Sequence, residues 1–116
     1  MGVEVERRRS SRVAANAVTP VGFIGSDQRF MAPLVDFSPL GLAVKTPRVV
    51  KNGAVFRLAI QVGSDYFRAA AITRRKYPTG FAVEFLSMGA IDRQTMGRLY
   101  LRLQMAAREA REAPEV

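Results

Sequence analysis

Apolar and polar residues alternate in the middle of the chain, and this pattern allows few folds other than a β-sheet structure. In VFRLAIQV, residues 55–62, every second side chain from Phe56 to Val62 is apolar, while Arg57 and Gln61 point to the opposite face. Similar segments, separated by short turns that contain Gly, Pro or Ser, are predicted at 17–25, 29–37, 41–46, 65–75 and 80–86. Six short strands with hairpin-length connections predict a six-stranded antiparallel β-barrel. Pro20 suggests that the first strand lies at an edge or is bulged.

The last part of the chain changes from a strand period to a helix period. Apolar residues recur there at spacings of three and four, which is typical of one helical face packed on a core. The predicted helix covers about 92–112 and closes the barrel. The residues of its apolar face are Met96, Leu99, Leu103, Ala106 and Ala110.

The ends and outer face of this helix can also be read from the sequence. Asp92 is a candidate N-cap, with Ile91 and Met96 placed to form a hydrophobic staple. Leu101 and Met105 lie four residues apart on a different face. They are either ordinary exposed apolar residues or a contact surface, which leaves a homodimer through the C-terminal helix as one possibility.

The predicted organisation is one domain of the all-β class with a C-terminal helix. Residues 1–12 are polar and charged, and we expect them to form a flexible arginine-rich arm. Residues 13–112 form the barrel and helix, and residues 113–116 are a tail.

Composition limits the chemistry that this chain can perform. It contains no Cys and no His, so thiol chemistry, thiolate metal sites and histidine catalysis are excluded. We therefore expect no enzymatic activity, no metal and no cofactor. No apolar run approaches membrane-spanning length, so we expect no membrane insertion and a cytoplasmic location. The net charge of +8 favours a negatively charged partner.

Arginines near the start of the chain suggest what that partner is. Arg8 and Arg12 are four residues apart in ERRRSSR, a spacing that puts them on one side in a helix or in an extended arm. Guanidinium groups bind phosphate oxygens and also the O6 and N7 atoms of guanine. An alternative is that this arginine run is only a solvated tail.

A second short motif, DFSPLG at 36–41, follows one predicted strand. Asp36 and Ser38 share a face at its end, with Phe37 on the other side. A carboxylate at Asp36 can accept hydrogen bonds from the two N–H groups of a guanine edge. Gly41 allows close approach of backbone or ligand. The alternative is an ordinary β-turn with a polar flank.

Together, the R-x-x-x-R and D-x-S-x-x-G patterns resemble the PilZ domain family. The resemblance extends over most of the chain and implies a six-stranded, split-type barrel with a C-terminal helix that binds the second messenger cyclic di-GMP. It implies that Arg8 and Arg12 hold phosphate and guanine, and that Asp36 and Ser38 contact a base near Gly41.

The neighbouring arginines extend this prediction. Arg9 is expected to assist the pair, whereas the role of Arg7 stays open, as does the choice between one and two bound ligand molecules. The departures from the family pattern are Pro20 in the first strand and the residues Ser38-Pro39-Leu40, where small residues are more usual.

The function implied is that of a receptor and adaptor. Ligand binding would order the arm and signal to a protein effector in motility, adhesion or exopolysaccharide control. One alternative is a PilZ-like scaffold that binds no ligand. Another is a basic nucleic-acid-binding barrel, suggested by strand arginines such as Arg57 and Arg68. The predicted inward direction of the Phe residues argues against nucleic acid, because such barrels display aromatic residues for base stacking.

Overall fold

The strands and the helix follow one another along the chain in the predicted order. A computed structural model of the chain describes residues 12–14 and 19–112, with side chains described as far as residue 109. The elements are β1 (Val13–Ala14), β2 (Pro20–Ile24), β3 (Arg29–Ser38), β4 (Gly41–Lys45), β5 (Val55–Val62), β6 (Asp65–Tyr77), β7 (Gly80–Ser87) and α1 (Ala90–Glu112).

Six of these strands close into a barrel. Neighbouring strands are hydrogen-bonded in the order β3-β2-β5-β6-β7-β4, and a further pairing between β3 and β4 completes the ring. All of these pairings are antiparallel. The predicted fold class is therefore confirmed. The short strand β1 lies outside the ring and pairs with the end of β3. It was not predicted, because two residues are too few to show a period.

The barrel interior is filled by the side chains that the alternation assigned to it. Phe56, Leu58 and Ile60 on β5 are almost completely buried, as are Phe67 on β6 and Phe81 on β7. Aromatic rings form two packed groups, one around Phe23, Phe30, Phe56 and Phe81 and one around Phe37, Phe67, Phe85 and Tyr100. These edge-to-face and stacked contacts add to the area buried by the rings.

The position of Pro20 differs from the prediction. β2 pairs with β3 on one side and with β5 on the other, so it is not an edge strand. The pairing of β2 with β5 begins only at Val21. Pro20 is the first residue of its strand, a place where a missing N–H costs no ladder hydrogen bond. Of the predicted strand 17–25, the structure describes residues 19 onward.

The prediction that Asp92 is the N-cap of the helix was wrong. α1 begins at Ala90, where the N–H of Arg93 donates to the carbonyl oxygen of Gly89 at 2.9 Å. Asp92 lies inside the first turn, and its Oδ1 accepts a hydrogen bond from the backbone N–H of Arg68 at 3.0 Å. The pairing between β6 and β7 extends only to Ala70, so the N–H of Arg68 has no strand partner there. Asp92 therefore accepts a hydrogen bond from the free N–H group at the strand edge instead of capping the helix.

The expected hydrophobic staple is also absent. Ile91 is 79% exposed, whereas Met96 is 5% exposed and lies in the core. The rest of the apolar helical face is confirmed, since Leu99 is fully buried and Leu103 is half-buried. Ala110 lies beyond the described side chains.

The helix packs across the outside strand and the barrel. It contacts β6 and β1, and Arg98 and Arg102 both form ion pairs with Asp65 at the start of β6. Leu101 and Met105 remain 57% and 60% exposed. The homodimer through this face therefore stays a prediction. Within residues 12–14 and 19–112, no helix is long and apolar enough to cross a membrane.

A buried hydroxyl in β6 provides a test of the core. Thr73 is 1% exposed, and its Oγ1 has no hydrogen-bond partner among the described residues. Thr73→Val removes this unsatisfied group without changing the shape of the side chain. We expect the free energy of unfolding to rise by about 1 kcal/mol, measured by urea denaturation.

The control for Thr73→Val is a threonine whose hydroxyl is used. Oγ1 of Thr46 accepts a hydrogen bond from the N–H of Arg48 at 3.2 Å. Thr46→Val should therefore lower the free energy of unfolding by about 1 kcal/mol. Equal losses in both variants would contradict the assignment of Thr73 as an unsatisfied group.

Candidate functional site

The turn between β3 and β4 is held by the hydroxyl group of Ser38. Its Oγ accepts a hydrogen bond from the N–H of Leu40 at 3.2 Å and donates to the carbonyl oxygen of Gly41 at 3.4 Å. The carbonyl of Leu40 in turn accepts from the N–H of Phe85 at 2.8 Å, which ties the turn to β7. Ser38 is only 2% exposed. Its polar group is therefore used within the turn, and the side chain is covered.

A register shift in β3 decides which way Asp36 points. Leu34 pairs with Val44, but the next pair joins Asp36 to Ala43, so Val35 is an extra residue in the strand. Before the shift, even-numbered residues such as Leu34 are buried in the barrel; after it, Phe37 is buried. Uninterrupted alternation would have put the Asp36 side chain in the core. The bulge places it on the outer surface instead.

On that surface, Asp36 forms an ion pair with Arg12. Nη1 of Arg12 lies 2.6 Å from Oδ1 of Asp36, and the two side chains are 44% and 28% exposed. The approach is possible because Arg12 directly precedes β1, in which Ala14 pairs with Asp36. Two residues from the two sequence motifs thus meet in space.

Beside Asp36, strands β4 and β7 form a surface with small side chains. Both strands contain the pattern G-x-A-V, in GLAV at 41–44 and GFAV at 80–83. Their antiparallel register pairs Ala43 with Ala82 at the centre. A row of positions on the outer side of the strands therefore runs from Asp36 through Ala43 and Ala82 to Arg75, and the two alanines are themselves covered, at 8% and 5% exposed.

The two glycines allow this close pairing. A Cβ atom at Gly41 would collide with the carbonyl oxygen of Val83, and one at Gly80 would collide with the carbonyl oxygen of Val44. Each glycine faces backbone of the other strand, so neither position tolerates a side chain. Gly41 was predicted to allow backbone or ligand to approach closely, and in the structure the approaching group is the backbone of β7.

Charged residues surround the small-residue surface. Lys45 and Arg75 are exposed, and neither forms an ion pair with any of the described residues. Arg74, the extra residue of a bulge in β6, bonds to Glu84 at 2.8 Å. Tyr77 is 45% exposed at the end of β6. The exposed groups of this region are therefore cationic side chains and the acceptor Asp36, around a centre of two covered alanines.

Of the predicted site residues, the structure brings Arg12 into contact with Asp36, and Ser38 into contact with Gly41. Arg8 and Arg9 lie outside the described residues, as does Arg7. Sequence reasoning missed the contribution of Ala43 and Ala82. The repeated G-x-A-V pattern was the signal that could have indicated it, since small residues at alternate strand positions mark close approach.

Comparisons with known proteins agree with the fold described above. A family model described as PilZ domain matches residues 6–102. YcgR from Escherichia coli, solved in complex with c-di-GMP, superposes with a TM-score of 0.74 at 20% identity, over 91% of this chain and 50% of that chain. MotI/DgrA, the Bacillus subtilis inhibitor of motility, superposes with a TM-score of 0.69 at 21% identity, over 86% of this chain and 53% of that chain.

A third solved structure has nearly the same extent as this chain. The PilZ domain of CeSA from a cellulose-synthesizing bacterium superposes with a TM-score of 0.65 at 17% identity, over 82% of this chain and 99% of that domain. By contrast, the chain spans about half the length of YcgR and of MotI/DgrA. No curated protein matches the sequence. The family match covers most of the chain, and the chain therefore belongs to the PilZ domain family.

Proposed function

We propose that this chain is a receptor for cyclic di-GMP that acts on a protein partner. PilZ domains are ligand-binding regulatory domains, and a similar structure, that of YcgR, was solved in complex with c-di-GMP. The observation that carries the proposal is the contact between Arg12 and Asp36 on the outer face of the barrel, because it joins both sequence motifs in one site.

The donors and acceptors of this pair suit a guanine nucleotide. The guanidinium group of Arg12 has five N–H donors, and its contact with Asp36 uses one nitrogen. The remaining donors can bind phosphate oxygens or the O6 and N7 atoms of guanine. Asp36 uses Oδ1 for Arg12, so its other oxygen can accept from the N1–H and N2–H groups of a guanine edge. The same contact orients the guanidinium group toward the ligand.

The neighbouring surface supports binding of a flat, anionic molecule. Ala43 and Ala82, which are 8% and 5% exposed, place no large side chain beside Asp36. Lys45 and Arg75 add positive charge at its margin, which favours phosphate groups.

The proposed site consists of Arg8, Arg9, Arg12, Asp36, Ser38 and Gly41. Arg12 and Asp36 provide polar groups on the outer surface. We assign the covered Ser38 and the tightly packed Gly41 to holding the β3–β4 turn in shape beside the ligand. Arg8 and Arg9 would close over the phosphates from the preceding segment.

The contacts of β1 suggest how binding reaches a partner. Val13 and Ala14 directly follow Arg12, pair with β3 and contact the helix. A ligand that holds Arg12 would therefore stabilise β1 against both elements, to the extent of its differential affinity for that arrangement. The output would be a cytoplasmic protein in motility, adhesion or exopolysaccharide control. The similarity to an inhibitor of motility favours the first of these.

Calorimetric titration tests the receptor role directly. The wild-type protein is titrated with cyclic di-GMP, GTP and short single-stranded DNA at low and high salt. We expect saturable binding of cyclic di-GMP in preference to the other two. A folded protein that binds none of them contradicts the proposal and favours a scaffold. Binding of DNA alone, with a steep dependence on salt, favours a nucleic-acid-binding barrel.

A further inference from the structure

The barrel carries a groove of about 900 Å³ that is lined by none of the candidate-site residues. It lies mainly on the outer face of β3, β2, β5 and β6, with residues at the end of β7 and the start of α1 at its border. The candidate site is centred on β4 and β7, which lie across the ring of strands from β2 and β5. The groove is therefore a separate feature of the molecule.

Small residues on three adjacent strands form the floor of the groove. Gly22 on β2 pairs with Ala59 on β5, and Ala70 on β6 lies one position along the same face. A sheet surface with larger side chains at these positions would be flat or convex. The depression thus results from small residues at outward positions of the strands. Core packing does not require small residues at these positions.

Large apolar side chains border this floor and are open to solvent. Ile24 is 47% exposed, Met31 is 65% exposed and Tyr66 is 49% exposed. Tyr and Met are both enriched at the centres of protein interfaces, and Tyr gives a large contact area with limited loss of conformational entropy. Exposed apolar residues gathered around one depression are typical of a binding surface.

The groove is also positively charged. Arg29, Arg57 and Arg68 line it, and their side chains form no ion pair or hydrogen bond with any of the described residues. Arg57 and Arg68 occupy diagonal positions on β5 and β6, so their guanidinium groups rise on either side of the floor. Asp92 is the one acidic residue among the lining residues, and it is bonded to the backbone of β6.

This combination identifies the occupant by its chemistry. A second copy of this chain would bring a net charge of +8 toward the arginines, which opposes self-association here. A single nucleic-acid strand needs several exposed aromatic rings for stacking. Tyr66 is the only exposed one among the lining residues, since Phe23 and Phe30 are buried.

We propose that this groove docks an acidic peptide segment of a partner protein that also carries apolar side chains. Carboxylates of the segment would pair with Arg29, Arg57 and Arg68, and its apolar residues would lie on the floor against Met31 and Tyr66. The inference deepens the adaptor role proposed above by naming the chemistry of the partner. It does not require the cyclic di-GMP site.

Selection from a random peptide library displayed on phage tests this proposal without a candidate partner. The full chain is the bait, and the selected peptides are synthesised with a fluorescent label for anisotropy titration. We expect enrichment of peptides that combine Asp or Glu with large apolar residues. Two groove variants, Arg57→Gln/Arg68→Gln and Ala59→Phe, should each weaken their binding by about tenfold or more.

Matched controls separate the groove from general charge effects. Lys51→Gln/Arg108→Gln removes the same charge from exposed positions outside the groove and should leave peptide affinity unchanged. Ala59→Phe fills the floor without altering charge, so its effect reports on shape. Far-ultraviolet circular dichroism checks that all variants remain folded.

The results of the peptide experiment can be told apart from failure of the proposed cyclic di-GMP receptor role. Selected peptides without acidic residues, or peptides that bind both groove variants as tightly as wild type, would overturn the proposal. The proposal would also be overturned if no peptide is selected and if labelled single-stranded DNA binds the wild-type protein but not Arg57→Gln/Arg68→Gln. A protein that selects acidic peptides yet fails to bind cyclic di-GMP would support the groove while rejecting the receptor.

Discussion

Arg12→Ala is expected to lower the affinity for cyclic di-GMP by about 2–5 kcal/mol, or roughly 30- to 4,000-fold in Kd. The variant removes a guanidinium group held toward the outer surface by Asp36, and with it charge-assisted hydrogen bonds to the ligand. Folding should change little, because the Arg12–Asp36 ion pair is partly exposed and such pairs contribute about 0–1 kcal/mol. Isothermal titration and urea denaturation measure the two effects.

Arg98→Ala is the matched control for this variant. Arg98 also forms an exposed ion pair with a carboxylate, at 3.7 Å from Asp65, and it lies on the helix, away from the candidate site. It should keep nearly wild-type affinity. An equal loss in both variants would show that general charge, and not the Arg12 site, attracts the ligand.

A double-mutant cycle with Asp36→Ala separates two roles of the carboxylate. If Asp36 acts by orienting Arg12, its loss should have little further effect in the Arg12→Ala background. If it contacts guanine independently, the two losses should add. Binding that survives both substitutions would contradict the proposed site.

Gly41→Ala is expected to lower the free energy of unfolding by about 3 kcal/mol or more. A Cβ atom at this position would lie 3.0 Å from the carbonyl carbon of Val83, and its oxygen is closer still. The obstacle is backbone in a paired strand, so relief requires β4 and β7 to separate. Thermal and urea denaturation measure the loss.

Gly97→Ala is the control, because a Cβ atom there meets nothing within 4 Å. Alanine has a higher helix propensity than glycine, so this variant should gain about 1 kcal/mol. Any loss of ligand binding in Gly41→Ala should be in proportion to the fraction of the protein that is unfolded. A stable Gly41→Ala protein with no affinity for cyclic di-GMP would instead indicate direct contact between Gly41 and the ligand.

The inward faces of the strands were predictable because they depend on local alternation. Phe56, Leu58 and Ile60 are all buried as expected. The start of the helix was not predictable in the same way. Asp92 has the residue type of an N-cap, but it bonds to a strand N–H that is 24 positions away in sequence. A local sequence pattern does not show that a distant hydrogen-bond donor competes with the local ones for the same carboxylate.

The candidate site was predictable in part, for a similar reason. The residue types of Arg12 and Asp36 and their motifs are visible in the sequence, and they suggested a shared ligand. Their direct contact depends on β1, which is too short to be recognised and forms only by pairing with β3. The direction of Asp36 depends on the bulge at Val35, which breaks the alternation.

Residue types and near-neighbour spacings were enough to predict the class of the fold, the residues of its core and the two motifs that indicate the family. Three further features emerge only in the folded barrel. Arg12 meets Asp36, Gly41 is required by the backbone of β7, and outward residues of four strands form a cationic groove. These features depend on pairing between residues distant in sequence, which closure of the barrel sets.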